Sequence, residues 1–264
     1  MKSNPLLSHY NTENAFEIGI DEAGRGPLFG RLYVAAVILP KDSSFRHEDM
    51  KDSKKFHSKK KIQHVADYIK TNAIAWSIQY VDASTIDEIN IRPAVFKGMH
   101  ECIREILSKI EEKSVFGRDE IMLLVDGNDF KPFTFYDEDV EEIRSLRHET
   151  VEKGDNKYTC IAAASILAKV QRDQYIAELC EKNPELSEKY GINTNMGYGT
   201  KAHMDGIKQH GITEWHRKSF APCIKGNQGI PRSLRLKIPP FVPSVLNRRD
   251  LNRREKLRGI PWFP

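Results

Sequence analysis

Apolar and polar positions alternate along the first two thirds of the chain in segments whose periods predict strands and helices in turn. Two buried strands are predicted at 17–21 and at 32–39, where LYVAAVIL forms a continuous aliphatic run. A third strand is predicted at 74–81, where large apolar side chains alternate with smaller or polar ones. The first third of the chain is therefore expected to supply three strands.

Apolar residues at helical spacing separate and follow these strands. Ser58 can cap a helix that runs to about residue 70, and a longer helix is predicted at 93–111 with a proline in its first turn. The run IMLLV at 121–125 predicts another buried strand, and 147–151 can form a short one. Strands interleaved with helices in this way predict an α/β fold.

The second half of the chain is expected to be mainly helical and then irregular. An alanine-rich helix is predicted at 157–182, loops and turns from 183 onward, and a helix at 201–210. The last forty residues contain several prolines and no sustained periodicity, which predicts irregular structure. We therefore expect an N-terminal extension at 1–16, a main domain at 17–223 and a tail at 224–264.

Composition narrows the class of protein. The chain has 39% hydrophobic and 30% charged residues, which is ordinary for a soluble protein, and no apolar run approaches the roughly 18 residues of a membrane span. The first residues do not look like a secretory signal, so we expect an intracellular protein that makes no contact with a membrane. The four cysteines form no C-x-x-C pair and are expected to be reduced thiols.

Charge is distributed unevenly. Residues 225–264 hold ten Lys or Arg and only two acids, a local net charge of +8, whereas the preceding residues carry a net charge of −4. A basic tail suits a polyanionic partner. A solvated end without a partner is the alternative.

Acidic residues stand at the predicted ends of apolar strands. Asp21 and Glu22 end the first strand, Asp126 ends IMLLV, and Asp155 lies in the KGD turn before the alanine-rich helix. In an α/β sheet these positions can share one site. Asp126 could instead simply make a turn, and Asp155 could cap the helix.

Four carboxylates without paired cysteine or histidine ligands favour Mg²⁺ or Mn²⁺ over zinc. Two such ions, about 3.5 to 4 Å apart, would activate a water and stabilise the leaving oxygen of a phosphodiester. His203, His210 and His216 could suggest a zinc site, but their spacings of seven and six do not place them on one helix face.

The chain resembles ribonuclease HII through six motifs that occur in the order typical of that family and cover roughly 17–220. They are DEAGRGPLFG at 21–30, DSKKF at 52–56, LVDG at 124–127, KGD at 153–155, IAAASILAKVQRD at 161–173 and GYGT at 197–200. The resemblance implies a ribonuclease H-like fold, with a central mixed sheet flanked by helices and a C-terminal helical or irregular extension. It also implies that the catalytic domain, 17–223, ends in substrate-contacting helices.

The resemblance implies an endonuclease that cuts the RNA strand of RNA–DNA hybrids. It also implies incision 5′ to ribonucleotides embedded in DNA, leaving 3′-hydroxyl and 5′-phosphate ends, as in ribonucleotide excision repair. Asp21, Glu22, Asp126 and Asp155 match the family's four metal-binding catalytic carboxylates, which agrees with the interpretation of the residues themselves.

The resemblance also implies substrate contacts. Gly24, Arg25 and Gly26 match the loop that senses the 2′-hydroxyl, the group that distinguishes RNA from DNA. Tyr198 matches a tyrosine that stacks on the sugar after the ribonucleotide, and Lys54 matches a lysine that contacts phosphate near the scissile bond. Without the resemblance, Tyr198 could be an ordinary surface aromatic, and the lysines at 54–61 a solvated face.

Other readings remain open. Ser165, on the alanine-rich helix, is expected to pack near the site, because no G-x-S-x-G nucleophile elbow is present. The chain could be a catalytically silent hybrid-binding protein, or another nuclease or strand transferase of the same fold. The related ribonuclease HIII carries an extra N-terminal domain, and only about sixteen residues precede the first strand here, which favours ribonuclease HII.

The chain departs from the ribonuclease HII pattern in two places. Arg31 stands where the family usually has proline, and the tail after Cys223 is longer and more basic than in a minimal member. The tail ends in KLRGIPWFP, so we hypothesise that it binds nucleic acid or docks on a sliding clamp. We otherwise expect the protein to be a monomer.

Overall fold

A five-stranded mixed sheet forms the centre of the fold in a computed structural model that describes residues 5–111, 117–138 and 140–226. The strands are β1 Phe16–Ala23, β2 Leu32–Ile38, β3 Ala75–Val81, β4 Ile121–Asp126, β5 Thr134–Asp137, β6 Glu142–Ser145 and β7 Arg147–Val151. The sheet order is β3-β2-β1-β4-β7, and β5 pairs with β6 in a separate hairpin. The three strands β3, β2 and β1 are antiparallel neighbours, whereas β4 runs parallel to β1, and β7 parallel to β4.

Helices cover both faces of this sheet, which confirms the predicted mixed sheet flanked by helices. The helices are α1 Lys59–Asn72, α2 Ala83–Ile89, α3 Ile91–Glu111, α4 Thr159–Lys182, α5 Glu185–Tyr190, α6 Ile192–Asn195, α7 Lys201–His210 and α8 Ala221–Gly226. Every residue of β2 is buried because alternate side chains pack on opposite layers. Val34 and Ala36 join the core that contains α3, and Ala35 and Val37 join the core that contains α4.

Helix α4 lies directly against Gly19 of β1. A Cβ atom at this position would lie 2.2 Å from the main-chain carbon of Cys160, so only glycine fits. The contact fixes the first turn of α4 against the strand that carries Asp21 and Glu22. The same helix therefore faces the candidate carboxylates from the side of Ser165.

A third apolar cluster packs the short C-terminal helices around Phe29. Phe29 is fully buried and belongs to one cluster with residues from the second half of α4 and from α5, α6 and α7. This cluster joins the 24–30 segment after β1 to the region around Tyr198. It brings two predicted substrate-contacting segments, far apart in the chain, to the same part of the molecule.

Several predicted elements differ from the structure. Strand β1 extends to Ala23, so Asp21 and Glu22 lie within the strand and do not end it. The predicted loop from 183 to 200 is wrong, since α5 and α6 lie there, and α2, α8 and the β5–β6 hairpin were not predicted. These helices have only four to seven residues, too few for apolar periodicity to identify a helix.

The predicted basic tail lies outside the described residues, apart from its first three positions. These three belong to α8. Among the helices that the structure describes, none combines the length and hydropathy needed to cross a bilayer. All four cysteines are buried as free thiols.

Candidate active site

Parallel pairing of β1 with β4 brings the first carboxylates together. Ile20 is the partner of Val125 in this ladder, so Asp21 and Asp126 follow at the same level of adjacent strands. Asp155 lies in a short 3-10 helix, Gly154–Asn156, just after β7 and before α4. All four predicted acids therefore lie on the central strands β1 and β4 or in the turn that follows β7.

Asp21 is one of the two buried acids of this group. Only 6% of the residue is exposed, and its Oδ1 accepts a hydrogen bond of 2.7 Å from the main-chain N–H of Glu22. Burial raises the pKa of Asp21 well above its ordinary value, and the charges of Glu22 and Asp126 raise it further. This carboxylate is thus the one that most needs a compensating cation.

Glu22 and Asp126 already have partners within the protein. Burial raises the pKa of Glu22, while the guanidinium of Arg25, 3.7 Å away, acts in the opposite direction. The Oδ1 of Asp126 accepts a hydrogen bond of 2.7 Å from the N–H of Gly154. That bond connects the end of β4 with the turn that holds Asp155.

Asp155 adjoins this group from behind Asp126. It is also 6% exposed, and its Oδ1 accepts a 2.9 Å hydrogen bond from Nδ2 of Asn156. Burial raises the pKa of Asp155, with further contributions from the charges of Asp52 and Asp126. Unlike the other three acids, Asp155 is not among the residues that line the central cavity.

The four carboxylates fit a hard divalent cation by donor type and by charge. Their oxygens are the ligands that Mg²⁺ and Mn²⁺ prefer. Burial first, and then repulsion between the carboxylates, raises their pKa values, and a bound cation would offset both effects. Within the described part of the chain, no three Asp, Glu, His or Cys side chains already stand together as a ligand set. Metal binding would therefore require these side chains to move closer together around an ion.

One cavity contains eight of the nine residues that were predicted for the site. It is lined by Asp21, Glu22, Gly24, Arg25, Gly26, Lys54, Asp126 and Tyr198, together with Ala23, Ser53, Ser165, Lys169, Arg172 and Met196. The acids thus share a cavity with the glycine-rich loop, the lysine and the tyrosine.

The glycine-rich loop turns sharply at Gly24. Its φ of +96° is unfavourable for residues with a side chain, and a Cβ there would lie 2.3 Å from Nε of Arg172. Arg172, buried on α4, donates a 2.9 Å hydrogen bond to the carbonyl of Met196. This arginine therefore lies between the glycine-rich loop and the segment that leads to Tyr198.

Tyr198 faces the glycine-rich loop across the cavity. A Cβ atom on Gly26 would lie 3.6 Å from Cε1 of the tyrosine, and Tyr198 is 51% exposed. Lys54 lies in the 3-10 helix Ser53–Lys55, where its main-chain N–H donates to Oδ1 of Asp52 at 2.9 Å. Both side chains are thus accessible to a ligand that enters the cavity.

Ser165 lines the cavity, as expected of a residue that packs near the site, whereas Ser53, Arg92 and Asp129 were not predicted. Ser53 and Ser165 are joined by a 3.0 Å hydrogen bond between their Oγ atoms, which ties the DSKKF segment to α4. A second cavity on the other side of Glu22 and Asp126 is lined in part by Arg92 and Asp129, an ion pair. Neither pair has a local pattern in the sequence, since its members are far apart in the chain.

Comparison with known proteins places these features in one family. The model of the family described as Ribonuclease HII matches residues 18–223. The ribonuclease HII of Parabacteroides distasonis is 42% identical over 215 residues, which cover 81% of this chain and 94% of that protein.

Solved structures agree at the level of the fold. Ribonuclease H2 from Pyrococcus horikoshii has a TM-score of 0.59 and 22% identity, and the match covers 81% of this chain and 97% of that one. The PCNA:RNase HII complex from Archaeoglobus fulgidus has a TM-score of 0.55 and 27% identity, with 76% and 91% covered.

Proposed function

Since the chain belongs to the ribonuclease HII family and is an endonuclease of the ribonuclease H class, we propose two activities for it. It incises DNA duplexes 5′ to an embedded ribonucleotide, and it cuts the RNA strand of RNA–DNA hybrids. The observation that carries the proposal is the shared cavity. Three of the acids, the glycine-rich loop and Tyr198 line it together. Chemistry and recognition of a ribose would thus occur within one nucleotide of each other.

The proposed reaction is hydrolysis of the phosphodiester on the 5′ side of the ribonucleotide. The oxygen of a water bonds to phosphorus, the bond from phosphorus to the upstream 3′-oxygen breaks, and that oxygen takes a proton. The products are a 3′-hydroxyl and a 5′-phosphate. Asp21, Glu22, Asp126 and Asp155 would hold two Mg²⁺ or Mn²⁺ ions, which supply an activated water and charge neutralisation when bound.

The remaining lining residues bind and orient the substrate. The N–H groups of Arg25 and Gly26 have no hydrogen-bond partner among the described residues and lie in an exposed segment, so they can donate to a 2′-hydroxyl. The ring of Tyr198 can stack on the sugar that follows. The ammonium of Lys54 can contact the phosphate near the bond that breaks.

A duplex with one ribonucleotide tests this function. The duplex is incubated with Mg²⁺ or Mn²⁺ and either the wild type or Asp126→Asn, and the cut position and both ends are determined. We expect one incision 5′ to the ribonucleotide, and a loss of at least about a thousandfold in the variant, since an essential group for charge stabilisation is removed.

Two outcomes would contradict the proposal. Equal cutting of an all-DNA control would indicate a nuclease without ribose recognition. Binding without cutting under either metal would indicate a hybrid-binding protein.

The finer assignments of domain, partner and location belong to the same proposal. We take 17–223 as the catalytic domain of a monomer that acts inside the cell. One structural relative was solved as a PCNA:RNase HII complex, and the tail of this chain carries a local net charge of +8. We therefore propose that 224–264 contacts a sliding clamp or the nucleic acid itself.

Deletion of residues 227–264 tests the role of the tail. We expect weaker binding to a hybrid and a smaller dependence of affinity on salt, because fewer counterions are released. Unchanged hybrid affinity, salt dependence and clamp binding would refute the proposal for the tail.

A further inference from the structure

Arg217 is buried behind the glycine-rich loop, on the side away from the cavity. The residue is fully buried, and its guanidinium donates hydrogen bonds to four main-chain carbonyls of the 24–30 segment. The acceptors are the carbonyl oxygens of Gly24 at 2.6 Å, Arg25 at 3.1 Å, Pro27 at 2.8 Å and Gly30 at 3.0 Å. One side chain thus holds most of the loop.

These bonds account for the whole hydrogen-bonding role of the guanidinium within the described residues, and no carboxylate forms an ion pair with it there. Burial, together with the nearby charge of Arg172, lowers the pKa of Arg217 to about 9. The group remains protonated at neutral pH, so all its donors stay available. A buried cation is costly, and here the hydrogen bonds to main-chain oxygens compensate it, with a further favourable contribution from the charge of Asp87.

The bonds to Arg217 occupy hydrogen-bond acceptors of the loop and leave two of its donors free. The carbonyls of Gly24 and Arg25 are occupied on the protein side. The N–H groups of Arg25 and Gly26 have no partner within the described part of the chain, and both residues are exposed. The loop therefore presents donors to a ligand because its acceptors are held from behind.

His216, the neighbour of Arg217 in sequence, reaches Tyr198 through a second histidine. Its Nδ1 accepts a 2.9 Å hydrogen bond from the N–H of Thr213, so its Nε2 must carry the proton. That Nε2 lies 3.1 Å from Nε2 of His203, and Nδ1 of His203 lies 3.0 Å from the carbonyl oxygen of Tyr198. A single set of neutral tautomers satisfies the whole chain of bonds.

Burial supports this arrangement of protons. Both imidazoles are fully buried, and burial lowers the pKa of His203 and lowers that of His216 to about 3. The two rings are therefore neutral at physiological pH. Two of the three histidines that could have suggested a zinc site therefore form hydrogen bonds to each other and to the main chain at Tyr198.

We propose that Arg217 and the His216–His203 pair are positioning residues for ribonucleotide recognition. Arg217 sets the glycine-rich loop with its N–H groups toward the substrate, and the histidines set the main chain at Tyr198. Because His216 and Arg217 are consecutive, one point of the chain fixes the spacing between the two segments. The inference rests on the proposed function of the loop and of Tyr198.

The first test measures recognition without cleavage. Binding of a duplex with one ribonucleotide and of the same all-DNA duplex is compared for Asp126→Asn and for Asp126→Asn combined with Arg217→Lys. Lysine keeps the charge but has three donors on one atom and cannot span four carbonyls. We expect the preference for the ribonucleotide to fall roughly tenfold, the scale of one lost hydrogen bond or slightly more.

Arg147→Lys is the matched control, since Arg147 also donates to a protein oxygen, on Asn14, but lies on β7 away from the cavity. It should leave the preference unchanged. An unchanged preference in Arg217→Lys, with the parent still preferring the ribonucleotide, would overturn the inference alone. If the parent shows no preference, the proposed recognition fails and the inference fails with it.

A second variant, His203→Phe, tests the proposed role of the two histidines in positioning Tyr198. Phenylalanine retains contact with the neighbouring rings of Phe29 and Tyr190 but cannot donate to Tyr198. We expect kcat/KM to fall several-fold more for a ribonucleotide followed by DNA than for one followed by RNA. A uniform fall on both substrates would indicate a purely structural role and would refute the assignment of the histidines.

Discussion

At the scale of single residues, the carboxylate of Asp21 opposes folding at neutral pH. Its pKa is raised in the folded protein, chiefly by burial and then by the charges of Glu22 and Asp126. A raised pKa means that the folded state binds the proton more tightly than the unfolded state does. The associated stability is present below the unfolded pKa and is lost as the pH rises through the folded pKa.

Asp21→Asn should therefore stabilise the protein in metal-free buffer, by roughly 1–2 kcal/mol at pH 7.5, while abolishing cleavage. The gain should shrink as the pH falls toward 4, where the wild-type carboxyl becomes protonated in both states. Thermal unfolding across this range measures the difference. Asp205→Asn, at an exposed position of α7, is the control and should show no such trend.

Tyr198 allows a prediction about the shape of the side chain. Its ring is half exposed and lies against Gly26, with no requirement for the hydroxyl among the described contacts. Tyr198→Phe should retain most activity, whereas Tyr198→Ala should lower kcat/KM on a single-ribonucleotide duplex by about tenfold through lost stacking. Equal losses in the two variants would show that the hydroxyl, and not the ring, matters.

Residue types and spacing in the sequence predicted the acids, whereas the glycine-rich loop, Lys54 and Tyr198 were predicted only through the resemblance to ribonuclease HII. Arg217 was out of reach by the same means, because an arginine next to a histidine usually predicts a solvated surface. Its role depends on carbonyls more than 180 residues away, which no local pattern records. Arg31, which departs from the family pattern, pairs with Asp82 at 2.7 Å and stacks on Tyr80.

At the scale of elements, the contact of α4 with β1 determines where the acids lie relative to the helix. Gly19→Ala would place a Cβ 2.2 Å from the main chain of Cys160. We expect a loss of about 2–3 kcal/mol in stability, since backbone atoms cannot move aside as a flexible side chain can. Chemical denaturation measures this loss.

Gly117→Ala is a matched control for that substitution. A Cβ at Gly117 would lie 4.0 Å from its nearest neighbour, a side-chain carbon of Glu120, and the φ of −78° suits alanine. This variant should be close to wild type. A comparable loss in both variants would mean that the effect comes from glycine replacement in general, and not from the helix contact.

The long elements were predictable and the short ones were not. Continuous apolar runs predicted β2 and β4, apolar periodicity over several turns predicted α3, and a long alanine-rich stretch predicted α4. Helices α5 and α6 bury only Leu186, Tyr190 and Ile192, too few positions to establish a period. Their placement depends on packing around Phe29, which is tertiary information.

At the scale of the whole molecule, binding of a divalent ion at the site should increase the free energy of unfolding. An ion that binds only the folded state at a hundred times its dissociation constant adds about 2.7 kcal/mol to the free energy of unfolding. We expect Mg²⁺ or Mn²⁺ to raise the Tm of the wild type by roughly 5–10 °C, and EDTA to reverse it. Asp126→Asn should show a much smaller rise, and an equal one would place the stabilising ion elsewhere.

The bonds from Arg217 to the glycine-rich loop also bear on how the enzyme is made. They join residues 187 to 193 positions apart, so the loop leaves the ribosome long before its support does. A nascent chain that already contains all four acids still lacks the residues that set the loop. Under the proposed function, the loop would become able to select a ribonucleotide only after residue 217 has been synthesised.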